Sequence, residues 1–296
     1  MTSPPAAREQ LPVVRRERAR SSRIGAARVA VALLTALALT ACAPAPVTRA
    51  LPGEGLPPHD ARLALPGPHP ASVGHGALRS AYGCELRFEV HTPEGVDDRS
   101  RATLLLAHGF LRDLRHMRGW AAHLASHGVR TVVVSFCNST PFDGRHDRNA
   151  DDLRALAAVV APDGAPVLYA GFSAGGLAAY LATASDARAV AYLGLDTVDS
   201  GALAASVAPP HVPALFLAAE PSRCNADGNV VPLAQGLPTA QLVPVRHATH
   251  CDFEHPTSRA CERLCGRVEP PEAAAAIRGA VRALATAWVL EHAWDR

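Results

Sequence analysis

The sequence predicts an α/β protein with a mostly parallel central sheet and helices on both faces. From Tyr82 onward, short apolar runs alternate with segments of helical periodicity, which is typical of strands joined by crossover helices. Continuous apolar runs favour strands that are covered on both sides. The chain has 296 residues, of which 48% are hydrophobic and 19% charged, enough for one globular domain with a sizeable core and an extra segment.

The elements follow one another in a regular order. The predicted strands are residues 84–91, 102–107, 129–136, 165–170, 189–195, 212–219 and 241–245, and the predicted helices are residues 114–126, 149–160, 174–184 and 272 to about 291. Asp151 and Asp152 stand near the start of the second helix, where negative charge suits the helix dipole. Because ligands of such sheets bind beyond the carboxyl ends of the strands, we expect the site residues in the loops that follow them.

The N-terminal 41 residues resemble a signal peptide. Six arginines between positions 15 and 28 precede an apolar run over 29–40, which is too short to span a bilayer. The run ends in Leu-Thr-Ala-Cys, which resembles the lipobox of bacterial lipoproteins, with Cys42 as the residue that carries the lipid. The alternative is ordinary cleavage near Ala41 or Ala43. The lipobox predicts an exported protein anchored to a membrane of the bacterial cell envelope.

Residues 42–80 form a predicted tether. Eight prolines lie between Pro44 and Pro70, and such a stretch favours a semi-rigid extended linker over helix or sheet.

Removal of residues 1–41 changes the formal charge from +2 to −3, because that segment holds seven Arg and two Glu. No basic cluster remains, so nucleic acid is not an expected partner. The folded domain is predicted to cover residues 81–296.

The stretch 169–176, with the sequence Tyr-Ala-Gly-Phe-Ser-Ala-Gly-Gly, predicts a nucleophile. An apolar strand precedes it and a helix of small residues follows it, so Ser173 stands on the turn between them. The pattern G-x-S-x-G is typical of a nucleophile elbow, where a strained turn exposes the serine hydroxyl at the carboxyl edge of the sheet. The same pattern also occurs by chance in Gly-rich chains, with an incidental serine.

Two backbone N–H groups are the candidates for binding an oxyanion. Acyl transfer needs one donor from the residue after the nucleophile, here Ala174, and one from the loop after the strand that ends at residue 107. That loop begins with His108, Gly109 and Phe110, and the N–H of Phe110 is the second candidate. Gly109 allows a close approach of the backbone, and His108 is expected to have a structural role.

A serine nucleophile also needs a base, which in this kind of sheet follows the last strand. His250 is the best candidate by position, and His247 is the alternative. His255 precedes Pro256 and is expected at the surface.

Four motifs then follow one another along the chain. They are the stretch 104–111 with the helix behind it at 121–129, the elbow at 171–176, Gly-Leu-Asp-Thr-Val at 194–198, and His-Cys-Asp-Phe at 250–253. Their order and sequence resemble the α/β-hydrolase superfamily, and within it the chlorophyllase-like and dienelactone-hydrolase-like branch that includes bacterial polyester hydrolases. The likeness covers most of residues 82–292. It implies an α/β-hydrolase fold and a serine ester hydrolase that needs no metal and no organic cofactor.

The acidic partner of the histidine departs from the commonest pattern of this superfamily. The acid usually lies in a Gly-Glu-x-Asp-like turn after the strand that here ends at residue 219, but this turn has Ser222 where the aspartate is expected. Asp196 follows the preceding strand, inside the chlorophyllase-like segment, and is the favoured acid. Glu220 on the turn, Asp227 further along the same loop and Asp199 are the alternatives.

Six cysteines remain beside Cys42, namely Cys84, Cys137, Cys224, Cys251, Cys261 and Cys265. An even number in an exported chain predicts disulfide bonds, and the sequence does not choose among the fifteen complete pairings. Three of the six lie in loops on the side of the predicted site, so a disulfide between two of them would hold the loops of the site together. A zinc site made of Cys251, His255, Cys261 and Cys265, and free buried thiols, are the alternatives.

The function that these observations favour is hydrolysis of a small or polymeric carboxylic ester through an acyl-enzyme. Ser173 is the predicted nucleophile, His250 the base and Asp196 the acid that orients it. A non-catalytic surface lipoprotein on the same scaffold and an acyltransferase with the same triad are the alternatives. The loops 138–148 and 200–210 are able to cover the site, although neither has a recognisable lid sequence.

The lipid anchor is tested by substitution of Cys42. We expect Cys42→Ser to abolish lipid attachment and to move the protein out of the membrane fraction, because serine has no thiol for diacylation. Cell fractionation and mass spectrometry of the mature N-terminus measure this, with Ala43→Ser as the matched control that keeps the cysteine. A Cys42→Ser protein that is still processed and still found in the membrane fraction contradicts the prediction.

Overall fold

The computed structural model describes residues 56–97, 101–266 and 269–294. The predicted signal peptide over 1–41, the predicted lipid attachment at Cys42 and the first part of the predicted tether lie outside these residues.

A single sheet runs through the described part of the chain. Its strands are β1 (Ala71–Arg79), β2 (Glu85–Pro93), β3 (Thr103–Ala107), β4 (Thr131–Ser135), β5 (Val167–Phe172), β6 (Ala189–Leu195), β7 (Ala214–Ala218) and β8 (Ala240–Pro244). Their order in the sheet is β1-β2-β4-β3-β5-β6-β7-β8. β1 and β2 pair antiparallel, β2 pairs antiparallel with β4, and all pairs from β4 to β8 are parallel. The predicted mostly parallel sheet is confirmed.

Helices cover both faces of this sheet. They are α1 (Arg118–Ser126), α2 (His146–Val160), α3 (Ala174–Ser185), α4 (Val230–Gln235), α5 (Arg259–Cys265) and α6 (Pro271–His292). Because side chains alternate along a strand, Leu104 and Leu106 of β3 join Trp120 of α1 in one core cluster. Leu105 of the same strand joins Leu153 of α2 in the cluster on the other face. The central strands are therefore buried on both sides, as the continuous apolar runs predicted.

α6 is long and apolar enough to cross a membrane by length and composition. Its residues Ile277, Val281, Leu284 and Trp288 recur at helical spacing, and all are buried in the core cluster that also contains Leu104. The apolar stripe therefore packs on the sheet, which makes α6 a core helix of the domain.

The predicted tether extends too far along the chain. β1 pairs with β2 along its whole length, so the prediction of a linker over residues 71–79 is wrong. The prolines of residues 42–80 all precede β1. Every residue of β1 therefore has a backbone N–H group, which allows a regular hydrogen-bond ladder with β2. Ahead of it, Ala61–Ala64 form a 3-10 turn that packs on α6, and Leu63 O lies 3.0 Å from His123 Nε2. The folded domain therefore begins before residue 81.

All six described cysteines are paired in disulfide bonds. The pairs are Cys84–Cys137, Cys224–Cys265 and Cys251–Cys261. The prediction of disulfides is confirmed, and the two alternatives, a zinc site and free thiols, are wrong because a bonded sulfur is not a thiolate ligand. Two of the bridges tie α5 to the loops after β7 and β8. Neither α4 nor α5 was predicted from the sequence.

The first turn of α3 passes very close to the end of β3. A Cβ atom on Gly175 would lie 2.2 Å from the carbonyl oxygen of His108. The φ angle of Gly175 lies outside the left-handed region, so its backbone conformation would accept any residue. Glycine is required at position 175 because a side chain would overlap the backbone of His108. Its absence lets α3 start directly beside the end of β3.

Two glycine substitutions in helices test this close contact. We expect Gly175→Ala to lower the free energy of unfolding by about 2 kcal/mol, because the new methyl group overlaps the backbone of His108. Gly279→Ala in α6 is the matched control, since its Cβ would meet only the Cβ of Ala64 at 3.8 Å. There the ordinary helix preference for alanine predicts a gain of up to about 1 kcal/mol. Urea unfolding of both variants measures the difference, and equal effects would contradict a close contact at Gly175.

Candidate active site

Ser173 lies on the turn between β5 and α3. Its φ angle is +55°, a left-handed conformation that is uncommon for a residue with a side chain. The turn is held in place because Ser173 N donates a 3.0 Å hydrogen bond to Leu195 O, and Val198 N donates a 3.1 Å bond to Ser173 O. Ser173 is therefore fixed to the carboxyl end of β6 as well as to its own strand.

The structure brings Ser173, His250 and Asp196 together in one chain of hydrogen bonds. His250 Nε2 lies 2.9 Å from Ser173 Oγ, and His250 Nδ1 lies 2.6 Å from Asp196 Oδ2. A carboxylate only accepts hydrogen bonds, so Nδ1 carries the proton and the Nε2 lone pair faces the serine hydroxyl. All three side chains are buried, with exposed fractions below a tenth.

Asp196 owes its position to β6 and to one buried amide. Its Oδ1 accepts a 2.9 Å bond from Ala219 N, and both carboxylate oxygens lie 3.3 Å from Asn225 Nδ2. Asn225 is 1% exposed, and its Oδ1 accepts a 2.7 Å bond from Ser222 N. Asn225 was not among the site residues predicted from the sequence. The spacing Ser-x-x-Asn at 222–225, which is typical of a local capping interaction, was the signal that could have found it.

The alternative acids and bases lie elsewhere. Glu220 is exposed and accepts a hydrogen bond from the backbone N–H of His247, at 2.9 Å. The His247 ring lies 3.2 Å from a carboxylate oxygen of Glu269. Asp227 is exposed on the loop after β7. In the described part of the chain, the hydrogen bonds of the His250 ring go to Ser173 and Asp196, and Glu220, His247 and Asp227 form none with it.

His255 is not the surface histidine that was expected. Its ring is half-buried against the Trp120 ring, with centroids 6.5 Å apart, and its backbone bonds to two residues of the segment 116–119. Burial lowers the pKa of this histidine. The proline that follows it does not bring it to the surface, because the loop folds back onto α1.

The two candidate oxyanion donors are the backbone N–H groups of Phe110 and Ala174. Phe110 lies on the loop after β3, and Ala174 is the first residue of α3, where N–H groups have no partner within the helix. In the described part of the chain neither N–H donates to a protein acceptor. Both remain available to a ligand beside Ser173.

His108 holds the loop that carries Phe110. Its Nδ1 lies 2.8 Å from Gly109 O, and its Nε2 lies 3.1 Å from Phe136 N. A carbonyl accepts and an amide N–H donates, so the ring is neutral with its proton on Nδ1. Burial lowers the pKa of His108 to about 4, although the bond to Gly109 opposes the shift. Gly109 C=O and Phe110 N–H belong to the same trans peptide group and point in opposite directions. The hydrogen bond from His108 Nδ1 to Gly109 O therefore also orients Phe110 N–H.

The loop after β3 is also joined to the loop that carries His250. Arg112 forms an ion pair with Glu254, whose side chain has no exposed surface. Trp120 Nε1 donates a 2.9 Å bond to Phe253 O, and His255 N donates a 3.1 Å bond to His116 O. These contacts make the two loops one unit on the α1 side of the site.

Three potential metal ligands lie together in α5 and the loop that carries His250. Among the described residues, the one cluster of potential ligands is Cys251, Cys261 and Cys265, whose sulfur atoms lie within 4.8 Å of one another. All three are bonded in disulfides.

Solved structures of hydrolases share this architecture. A dienelactone hydrolase from Anabaena variabilis superposes with a TM-score of 0.57 at 19% identity, over 75% of this chain and 99% of that one. A ferulic acid esterase from Streptomyces cinnamoneus gives 0.56 at 18% identity, over 76% and 90%. The chain has the α/β-hydrolase fold. An α/β serine hydrolase homologue from Coxiella burnetii gives 0.51 at 18% identity, over 60% and 88%.

At these identities the likeness establishes the α/β-hydrolase fold and not the reaction. No family model matches the sequence, and a search of curated proteins finds no relative. The predicted α/β-hydrolase fold is confirmed.

The neutral state of His108 predicts a pH dependence of stability. Its pKa is about 4 in the folded protein and near 6.5 when unfolded, so the unfolded chain binds the proton more tightly. The free energy of unfolding should therefore fall by about 3 kcal/mol from pH 8 to pH 4 on account of this residue. In His108→Asn, which does not titrate, this part of the loss should be absent in urea unfolding at both pH values. An unchanged slope in the variant would contradict a buried neutral imidazole.

Proposed function

We propose that the protein is a serine carboxylic ester hydrolase that acts through an acyl-enzyme. The observation that carries the proposal is the continuous chain of hydrogen bonds from Ser173 through His250 to Asp196, at the carboxyl ends of parallel strands. A serine hydroxyl becomes a nucleophile when an oriented base can take its proton, and these three groups meet that requirement.

In the first half of the proposed reaction, Ser173 Oγ attacks the ester carbonyl carbon while His250 Nε2 takes its proton. The carbonyl oxygen becomes an oxyanion and accepts hydrogen bonds from the N–H groups of Phe110 and Ala174. The intermediate collapses when the C–O bond to the alcohol breaks, and the protonated His250 gives its proton to the leaving oxygen. The acyl group stays on Ser173.

In the second half, water attacks the acyl-enzyme and His250 takes one of its protons. Breakdown of the second intermediate releases the carboxylic acid and returns that proton to Ser173. The negative charge of Asp196 stabilises the imidazolium in both halves. Asn225 and Ala219 N–H donate to Asp196 and keep its second oxygen occupied, so that the other faces His250.

We further propose that this esterase belongs to the chlorophyllase-like and dienelactone-hydrolase-like branch, and that it is an exported lipoprotein anchored through Cys42. The branch is supported by the four motifs and by the dienelactone hydrolase among the structural neighbours. Export is supported by the lipobox-like sequence and by the three disulfides, which persist in oxidising compartments.

A fluorophosphonate probe distinguishes an enzyme from a non-catalytic scaffold. The probe should label the wild-type protein at Ser173 and leave Ser173→Ala unlabelled, because labelling needs the activated hydroxyl. A wild-type protein that resists the probe while folded would refute a serine hydrolase. Product analysis with added alcohol as a competing acceptor then separates hydrolysis from acyl transfer.

Substitutions in the triad should abolish ester hydrolysis without unfolding the protein. We expect Ser173→Ala and His250→Ala to lower kcat for nitrophenyl acetate by about a million-fold, and Asp196→Asn by about ten-thousand-fold, because the members act as a unit. The matched controls Glu220→Gln and Asp227→Asn should keep near-native kcat. Turnover and melting temperature are measured together. If Asp196→Asn keeps its turnover while a control loses it with the fold intact, the acid is that residue instead.

A further inference from the structure

Two buried hydroxyl groups lie between β6 and the first turn of α3. Tyr192, in the middle of β6, has no exposed surface, and Thr197, the residue after Asp196, is 1% exposed. Their hydroxyl oxygens lie 2.8 Å apart. Tyr192 Oη also lies 3.1 Å from the carbonyl oxygen of Gly176, in the first turn of α3. The two hydroxyls therefore connect the segment that carries the acid with the helix that follows the nucleophile.

The direction of these hydrogen bonds follows from the acceptor at one end. A carbonyl oxygen only accepts, so the one hydroxyl proton of Tyr192 goes to Gly176 O. The Tyr192 oxygen then accepts the hydroxyl proton of Thr197. Burial raises the pKa of Tyr192, although the hydrogen bond with Thr197 opposes the shift, so the phenol keeps its proton at neutral pH. The bonds from Thr197 through Tyr192 to Gly176 thus form one continuous chain.

Two glycines leave the space in which these hydroxyls meet. A Cβ atom on Gly194 of β6 would lie 2.5 Å from Thr197 Oγ1 and 2.7 Å from Tyr192 Oη. A Cβ atom on Gly176 would lie 2.2 Å from Thr197 Oγ1. The φ angles of both glycines lie outside the left-handed region, so neither backbone conformation requires glycine. Strand and helix therefore both give up a side chain at the place where the hydroxyl pair lies.

The backbone of Asp196 has an uncommon conformation that depends on its neighbours. Its φ angle is +45°, in the left-handed region, which a residue with a side chain adopts only where the surrounding structure enforces it. Asp196 N donates a 2.7 Å hydrogen bond to Leu217 O. On the other side of the residue, the side chain of Thr197 is held by Tyr192. The Thr197 hydroxyl thus fixes the chain directly after the residue with the left-handed conformation.

We propose that Tyr192 and Thr197 are positioning residues that hold the carboxylate of Asp196 in line with the catalytic histidine. The inference rests on the proposed esterase function and adds to it the groups that set the geometry of the acid. The two hydroxyls act through the backbone. Without their hydrogen bond, residues 196–198 relax from the enforced conformation, and the carboxylate no longer holds the imidazole of His250 in its working orientation.

Loss of either hydroxyl should lower kcat for 4-nitrophenyl acetate and leave KM unchanged. We expect Tyr192→Phe and Thr197→Val each to lower kcat by about tenfold to a hundredfold, since a misplacement of about 1 Å has an effect of this order. Thr197→Ser keeps the hydroxyl and should keep near-native kcat. The double variant Tyr192→Phe with Thr197→Val should lose no more than one of the single variants, because the two hydroxyls act as a unit.

Tyr169→Phe is the matched control. Tyr169 is a buried tyrosine of β5 whose hydroxyl donates a 2.6 Å hydrogen bond to Asp186, directly after the last residue of α3. Its loss should lower the free energy of unfolding at least as much as Tyr192→Phe does, because hydrogen bonds to a carboxylate are stronger than neutral ones. It should leave kcat unchanged. Urea unfolding of all variants separates lost stability from lost positioning.

A second measurement follows the Nδ1–H proton of His250. This proton lies in the 2.6 Å contact with Asp196 Oδ2. Hydrogen bonds to a carboxylate are short and strong, and a strong hydrogen bond moves the NMR resonance of its proton downfield. The resonance should move upfield in Tyr192→Phe and Thr197→Val and stay in place in Tyr169→Phe. A purely structural role of the two hydroxyls would leave it unchanged in all three variants.

The outcomes separate this inference from the proposed function. A wild-type protein that hydrolyses 4-nitrophenyl acetate, with folded Tyr192→Phe and Thr197→Val at native kcat, would overturn the positioning role and leave the esterase intact. An equal loss of kcat in Tyr169→Phe, or an effect confined to KM, would do the same. A wild-type protein that neither hydrolyses this ester nor reacts with the fluorophosphonate probe would overturn both.

Discussion

The site depends on how closely α3 can start beside the sheet. Gly175 sits against the carbonyl of His108, and this contact lets the chain reverse from β5 into α3 within a single residue. That residue is Ser173, held in a left-handed conformation by bonds to β6 and to the loop after it. The same contact brings the first N–H of α3 beside the loop after β3. Nucleophile and both candidate oxyanion donors thus share one packing constraint.

The carboxylate that contacts His250 lies at the end of a different strand from the one that the commonest sequence pattern predicts. Ser222 stands where the resemblance predicts an aspartate, and the carboxylate that contacts His250 is that of Asp196 at the end of the neighbouring strand. A buried carboxylate is costly unless it is paired or hydrogen-bonded. Here Ala219 N–H donates to Oδ1, the oxygen that His250 does not contact, and Asn225 Nδ2 lies 3.3 Å from both oxygens. The loop after β7 therefore supports the carboxylate that contacts His250.

Several covalent and ionic links hold the loops around this chain of hydrogen bonds. Cys251 follows His250 directly and is bonded to Cys261 of α5, and Cys224 precedes Asn225 and is bonded to the other end of α5. On the opposite side, the buried Arg112–Glu254 pair joins the histidine loop to the oxyanion loop. Removal of one partner of such a pair leaves an uncompensated charge, so the pair resists separation of the two loops. The site is therefore built from loops, and two disulfides and one buried ion pair restrain these loops.

The sequence by itself determined the α/β class, the order of the elements and the elbow, because each follows from local periodicity and local turn chemistry. The predicted strand 189–195 coincides with β6, and Ser173, His250 and Asp196 were selected from motifs. Only the tertiary structure decided the pairing of the cysteines, the contact of Asp196 with His250, the support from Asn225 and the addition of β1 to the sheet. Each of these joins segments that are distant in the chain. A local sequence pattern does not say how close two distant loops lie in the fold. The segment of β1 has few apolar residues and two glycines, and it forms a strand because the edge of β2 is free to pair with it.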